Sequence, residues 1–145
     1  PDQPYTESSW GYIGGESKNS QTQVENTHDG PLFQTLRNGI EGYCFDVPNG
    51  DYEIEFLFTD IFRENAATVY QLGRESGLES RENIFDIVIN GESVEESFSP
   101  CRESGYFYAL RKRYNITNFR NKIEIRFPVR NGKSFLNGIK LRKLY

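Results

Sequence analysis

The sequence contains no methionine, one histidine and two cysteines. Each scarcity removes a class of chemistry. A zinc site needs several histidine or cysteine ligands at short spacing, and His28, Cys44 and Cys101 stand far apart. His28 lies in the polar stretch Asn26-Thr27-His28-Asp29 and reads as an exposed or capping residue. With a single histidine and no Gly-x-Ser-x-Gly around any serine, nucleophile–histidine catalysis has no basis. Gly14-Gly15 lacks the strand, length and helix of a phosphate-binding loop. No apolar run approaches the ~18 residues that cross a bilayer. No basic start, apolar middle and small-residue cleavage site form a signal peptide. A natural chain begins with methionine unless processed, so the sequence reads as a piece of a larger protein. It reads as a single domain over residues 1–145.

The charge balance excludes two further partners. There are 21 acidic and 17 basic residues, for a net charge of -4, so neither nucleic acid nor an anionic membrane is expected. The basic clusters Arg111-Lys112-Arg113 and Lys140 to Lys143 read as solvated strand faces. The two cysteines read as free thiols; a bridge would need Cα atoms within about 7 Å. No cofactor is indicated, and a structural calcium stays open.

Aromatic residues are plentiful: 11 Phe, 9 Tyr and 1 Trp. Tyr52, Ile54, Phe56 and Phe58 recur at every second position, with Glu53 and Glu55 between them, so one strand face is buried and the other wet. Tyr43 to Val47 precedes them across Pro48-Asn49-Gly50-Asp51, which reads as a hairpin turn. Leu32 to Arg37 is expected to be a strand. Phe85, Ile87 and Ile89 alternate up to Asn90-Gly91, a strong hairpin signal, and Val94 to Phe98 returns. Ser99 to Gly105 reads as a loop and Tyr106 to Tyr114 as a strand. Ile123 to Val129 and Phe135 to Leu144 close the chain around the turn Arg130 to Lys133. Pro1 to Ser20 reads as an irregular arm with one or two short strands. Arg63 to Glu82 is a long polar connection, and connections of that length are often functional. Roughly eight or nine short strands without a long amphipathic helix predict an all-β antiparallel sandwich, best fitted by a jelly roll.

Paired carboxylates are the remaining catalytic option, with Asp60, Glu64, Glu95, Glu96 and Glu103 in or near loops. Glycoside hydrolysis needs two carboxyl groups ~5–10 Å apart across a cleft. The alternative is a binding surface. Sugars combine apolar C–H faces with many hydroxyls, and their sites pair an aromatic platform with fixed polar groups. Trp10, Tyr12, Phe33 and Phe62, at strand ends or in loops, are candidate platforms; core packing is the competing role for each.

The run Leu32-Phe33-Gln34-Thr35-x-Arg37, followed by Gly42-Tyr43-x-Phe45-x-Val47-Pro48-x-Gly50-x-Tyr52-x-Ile54-x-Phe56-x-Phe58-x-Asp60, resembles the malectin family signature. Asn83-Ile84-Phe85-Asp86-Ile87-x-Ile89-Asn90-Gly91 and Gly132-Lys133-x-Phe135-Leu136-Asn137-Gly138-Ile139 extend the match over nearly the whole chain. This version is similar to the malectin-type module appended to bacterial, Bacteroides-like β-galactosidases of glycoside hydrolase family 2. The resemblance implies a galactose-binding-domain-like sandwich and a non-catalytic, carbohydrate-binding role in a secreted or periplasmic enzyme. The catalytic carboxylates would lie in a separate domain of that parent. Together with the aromatic platforms read from the sequence, it gives an expected ligand-binding set of Trp10, Tyr12, Phe33, Arg37, Phe62, Arg63 and Asn131. Arg63 stands where the family has a phenylalanine, and Asn131 near its acidic residue. Two readings follow: a module that holds the parent hydrolase near a galactoside or glucoside glycan, or one that has lost sugar binding and packs against the parent's other domains.

Overall fold

A computed structural model describes residues 2–28, 30–62 and 82–144. In chain order the elements are β1 (Trp10–Ile13), β2 (Glu16–Asn19), α1 (Gly30–Phe33), β3 (Thr35–Asn38), β4 (Gly42–Phe45), β5 (Gly50–Phe58), β6 (Ile84–Ile89), β7 (Glu92–Phe98), α2 (Pro100–Ser104), β8 (Leu110–Asn118), β9 (Ile123–Arg126), β10 (Val129–Asn131), β11 (Phe135–Leu136) and β12 (Gly138–Lys143). The strands pair antiparallel. The larger sheet runs β1-β4-β9-β6-β10, with β7 also on β6. The facing sheet runs β12-β5-β8, and a small sheet β11-β3-β2 lies beside them. This is the expected all-β jelly-roll sandwich.

The period-two pattern of β5 sets the core. Tyr52, Ile54, Phe56 and Phe58 are all buried and face the larger sheet, where Phe85, Phe127, Ile123 and Ile125 meet them. The rings interlock edge to face, with Phe58 5.0 Å from Phe98 and Phe85 5.6 Å from Phe135. Such crossings suit the ring quadrupoles better than face-to-face sandwiches do. The opposite face of β5 is only partly wet. Glu55 is buried there, and Arg111, Arg113 and Lys140 from the neighbouring strands surround its carboxylate. Burial alone would raise its pKa, but these cations hold it below the ordinary value. Further along, Leu57 is covered by Val24, Phe33 and Ala109, which form a second small core on the outside of the sheet.

Four expectations need correction. Pro48-Asn49-Gly50-Asp51 does not close a hairpin: β4 pairs with β1 and β9, whereas β5 pairs with β12 and β8. The residue before a proline favours extended backbone, so the chain leaves one sheet and corners into the other. Asn118, fully buried, fixes that corner by donating to the carbonyls of Val47 and Pro48 at 3.3 and 3.2 Å. Leu32 and Phe33 belong to the helical turn α1, and the strand begins only at Thr35. Ser99 to Gly105 contains the helical turn α2 rather than plain loop. The strand expected from Tyr106 starts at Leu110, because Phe107 takes a positive φ of 56° and breaks the pleat. The Asn90-Gly91 hairpin forms as expected, with φ of 49° and 83° at those residues.

Candidate functional site

The first strand ends the ladder of the larger sheet, and residues Gln3 to Tyr5 run along its outer side, with Tyr5 donating to the Tyr12 carbonyl and Tyr12 to the Gln3 carbonyl. Register places Trp10 opposite Phe45 and Tyr12 opposite Tyr43, so both rings extend a row of aromatics. Tyr43 and Phe45 are buried, 5.1 Å apart. Trp10 lies almost parallel to Tyr43, at 6.5 Å and 16°, and keeps 40% of its surface exposed.

Arg37 enters the same region from β3. Its guanidinium lies 3.4 Å above the centroid of Tyr12, Nε donates to Asp2 at 3.2 Å, and Nη1 donates to the Gly15 carbonyl at 3.1 Å. Asp2 also accepts the Tyr43 hydroxyl at 2.9 Å. Burial, reinforced by the Asp2 carboxylate, pushes that hydroxyl's pKa well up, so Tyr43 stays a hydrogen-bond donor. Gly15 is required by this arrangement: at φ 83° a Cβ would stand 2.9 Å from Arg37 Cγ. The result is a cleft of about 450 Å³ with Trp10 and Tyr43 on one wall, Leu36 and Ile139 behind, and Asp2, Arg37, Asn137 and Lys140 as polar groups.

A wider cleft of about 890 Å³ opens at the loop end, beside Gly39, Pro128 and Lys133. Asn38, the neighbour of Arg37 on β3, lines it while nine-tenths buried, and its Oδ1 meets no donor among the described residues. Leaving a buried acceptor unmet costs about 1–3 kcal/mol.

The structure thus brings Trp10, Tyr12 and Arg37 together and separates them from the other expected ligands. Phe33 is fully buried against Leu57, with the Arg111 guanidinium 5.2 Å from its ring centroid, so it offers no face to a ligand. Phe62 is 8% exposed, packed 5.4 Å from Phe135 and capped by the Lys18 ammonium at 4.9 Å. Both rings are packed in the core in this structure. Asn131 sits on β10 and donates to the Glu82 carbonyl at 2.7 Å. Arg63 lies outside the described residues. Tyr43 reads from sequence as an ordinary strand residue, and only the pairing of β1 with β4 reveals that it backs Trp10.

Asp60, Glu95 and Glu103 are each engaged by other protein groups. Asp60 is 1% exposed and accepts the Phe62 N–H at 3.0 Å; burial pushes its pKa up to about 6. A substrate cannot reach a carboxyl so enclosed. Glu95 is held by Lys112 at 2.9 Å and the Tyr114 hydroxyl at 2.7 Å, and Glu103 by Lys112 at 3.0 Å. Glu64 lies outside the described residues. No cluster of three or more metal-ligating side chains occurs among the described residues, and both cysteines are free.

An antiparallel sandwich with an aromatic and guanidinium-lined cleft beside its first strand belongs to the class of β-sandwich domains. More particularly, residues 1–140 match the Malectin domain, and the chain belongs to that family. Two solved structures share its sequence closely. Bacteroides uniformis beta-glucuronidase is 61% identical with a TM-score of 0.88, covering 100% of this chain and 16% of that one. Bacteroides uniformis beta-glucuronidase 2, covalently bound to cyclophellitol-6-carboxylate aziridine, is 59% identical with a TM-score of 0.86, covering 100% and 15%. The ANXUR2 extracellular domain from Arabidopsis thaliana, at 14% identity and a TM-score of 0.66 over 94% of this chain and 41% of that one, shares the fold. No curated protein matches. The chain therefore spans about a sixth of these bacterial hydrolases, as an accessory domain. The relatives are β-glucuronidases, where the sequence resemblance had suggested β-galactosidases.

Proposed function

We propose that this chain is a non-catalytic carbohydrate-binding domain of a secreted or periplasmic bacterial glycoside hydrolase, and that it holds the enzyme near its glycan. The similar solved structures favour a β-glucuronidase-like parent over a β-galactosidase. The observation that carries the reading is the half-exposed indole of Trp10, supported from behind by Tyr43 and flanked by Arg37, Asp2 and Asn137 in one cleft. A pyranose laid on that ring would present its C–H face to the indole and its hydroxyls to the polar groups.

Trp10 is the only tryptophan, so intrinsic fluorescence reports on the cleft directly. Titration with methyl β-glucoside, methyl β-galactoside, glucuronic acid and plant polysaccharides is expected to give saturable quenching or a spectral shift. Kd should fall between ~10 μM and ~1 mM, as fits one shallow sugar site. A folded protein whose Trp10 emission ignores every ligand would reject the reading.

One observation favours the competing, interdomain-packing role. Phe119 is 78% exposed at the far end of the sandwich, beside a groove of about 430 Å³ that includes Val94 and Ile116. An aromatic so exposed suits a covered surface. If packing is the whole function, Phe119→Ser will improve the solubility of the isolated domain, and no sugar will register at Trp10.

A further inference from the structure

We infer that the outer face of the β12-β5-β8 sheet is a second binding surface, which takes an acidic polysaccharide on Arg113, Lys140 and Arg142. The carbohydrate class rests on the reading above; the surface does not depend on Trp10. The two basic clusters of the sequence meet on this face. Register sets Arg113 of β8 and Lys140 of β12 on either side of Glu55, and Arg142 beside Glu53. Alternate residues of a strand share a face, so these cations stand on the side of the sheet away from Ile54 and Phe56.

Two features make the face cationic in a chain of net charge -4. The cations outnumber the acid between them. Arg113 at 2.5 Å and Lys140 at 3.7 Å share the one Glu55 carboxylate, and Arg111 joins them at 3.4 Å. The heads also stand at different heights. The side chains of Glu55 and Glu53 keep 7% and 27% of their surface, against 64% for Arg113, 58% for Lys140 and 68% for Arg142. The negative charges lie against the sheet and the positive ones stand out in water. Asp51, further along β5, accepts the Thr117 hydroxyl at 2.7 Å. Neighbouring strands lie about 4.8 Å apart, so Arg113 and Lys140 start about 10 Å apart, and Lys140 and Arg142 about 7 Å. Separated cations suit charges that recur along an extended chain better than one compact anion. Guanidinium forks match carboxylates, and the exposed Asn115 on the same face of β8 can bond hydroxyls between them. The chain's overall charge repels a polyanion, so any attraction must come from a local face such as this.

The test is affinity electrophoresis of the 145-residue chain through native gels containing alginate, hyaluronan, neutral dextran or poly-L-glutamate. The two acidic polysaccharides should retard it and dextran should not. The retardation should fade between about 20 mM and 200 mM salt, as screening shortens the reach of exposed charges. Poly-L-glutamate, which has the charge without the hydroxyls, should bind at least fivefold more weakly than alginate. Lys140 also borders the Trp10 cleft, so the variants are at Arg113 and Arg142, which do not. Arg142→Gln should weaken alginate binding about threefold at an unchanged melting temperature. Adding Arg113→Gln should bring the loss to at least tenfold, and binding should survive Trp10→Ala. Undiminished retardation of Arg142→Gln would overturn the inference, and this variant decides alone if the double one fails to fold. Equal binding of poly-L-glutamate would make the partner an acidic protein surface and overturn it too. Sugar response at Trp10 without retardation by either acidic polysaccharide would reject this surface and leave the edge cleft standing. Retardation that falls with Arg142→Gln while Trp10 ignores every sugar would do the reverse. Silence in both assays would reject both.

Discussion

In the middle of the sandwich Phe56, Phe58, Phe85 and Phe135 are fully buried; Phe135 crosses Phe58 and Phe85 steeply, and Phe56 stacks on Phe58. At its edge Trp10 lies flat against Tyr43, and Tyr12 lies under a guanidinium. Both populations come from strands with the same alternating pattern, and they differ in their neighbours. The central rings are enclosed by other core side chains, so their surface is used within the protein. Of the edge rings, Tyr12 is covered by Arg37, and Trp10 keeps 40% of its surface exposed. Removing a central ring should therefore act on folding, and removing an edge ring on recognition.

The sharpest way to break this contrast is Phe58→Ala. That ring touches Phe56, Phe85, Phe98 and Phe135, and a buried phenylalanine truncated to alanine costs about 3–5 kcal/mol. Urea denaturation should show a loss of that size; one below about 1 kcal/mol would mean that the core closes over the gap. Next in size is a pH effect at the border between core and loops. Asp60 has its pKa lifted from 3.8 to about 6 by burial, so the folded protein keeps a proton that the unfolded chain has released. Stability from this group is full below about pH 4 and is lost as the pH rises through 6. The loss is about 2–3 kcal/mol, from 1.36 kcal/mol per pKa unit. Asp60→Asn keeps an acceptor for the Phe62 N–H and should be increasingly more stable than the parent from pH 4 to 7. Equal denaturation midpoints across that range would show that Asp60 ionises without penalty.

At the edge the effects should be smaller and of another kind. Trp10→Ala should weaken glycan binding by about 0.5–1.5 kcal/mol beyond the lost contact area. Its unfolding midpoint should stay near that of the parent, because the ring is 40% exposed; calorimetry and urea melts on one preparation separate the two readouts. Smallest is Arg37→Gln, which removes the stack on Tyr12 and the Asp2 pair. It should cost about 0.5–1 kcal/mol of stability, seen as a slight fall in melting temperature that high salt diminishes. A loss above about 3 kcal/mol would place Arg37 with the core.

What could be read in advance follows the range of the interaction concerned. The burial of Tyr52, Ile54, Phe56 and Phe58 and the Asn90-Gly91 hairpin are local matters of period and turn chemistry, and both were legible. The Pro48 to Asp51 segment reads as a hairpin and is not one, because turn residues do not say which sheet the chain enters next. That depends on Asn118, 70 residues away in sequence from Pro48. Phe33 carried a family motif, yet its burial depends on Val24, Leu57 and Ala109 meeting it on the outer face of β5. The same holds for the candidate site. Trp10 and Arg37 were named, but their meeting with Tyr43 requires β1 on β4 and β3 on β2, and neither pairing has a sequence signal.

The corner at Pro48 has a consequence for how the domain assembles. Because β4 and β5 do not pair, almost no strand finds its partner next door. Trp10 waits for Phe45, Phe45 for Ile123, and Leu57 for Gly138. Among the described strands β6 and β7 form a tight hairpin that can close early, and β2 meets β3 across a longer connection. The rest must bring distant parts of the chain together before any contact repays the lost entropy, so the contact order is high and folding should be slow, in the range of milliseconds to seconds. The first and last strands, β1 and β12, each end one of the two facing sheets, so neither sheet is complete until both ends of the described chain have arrived.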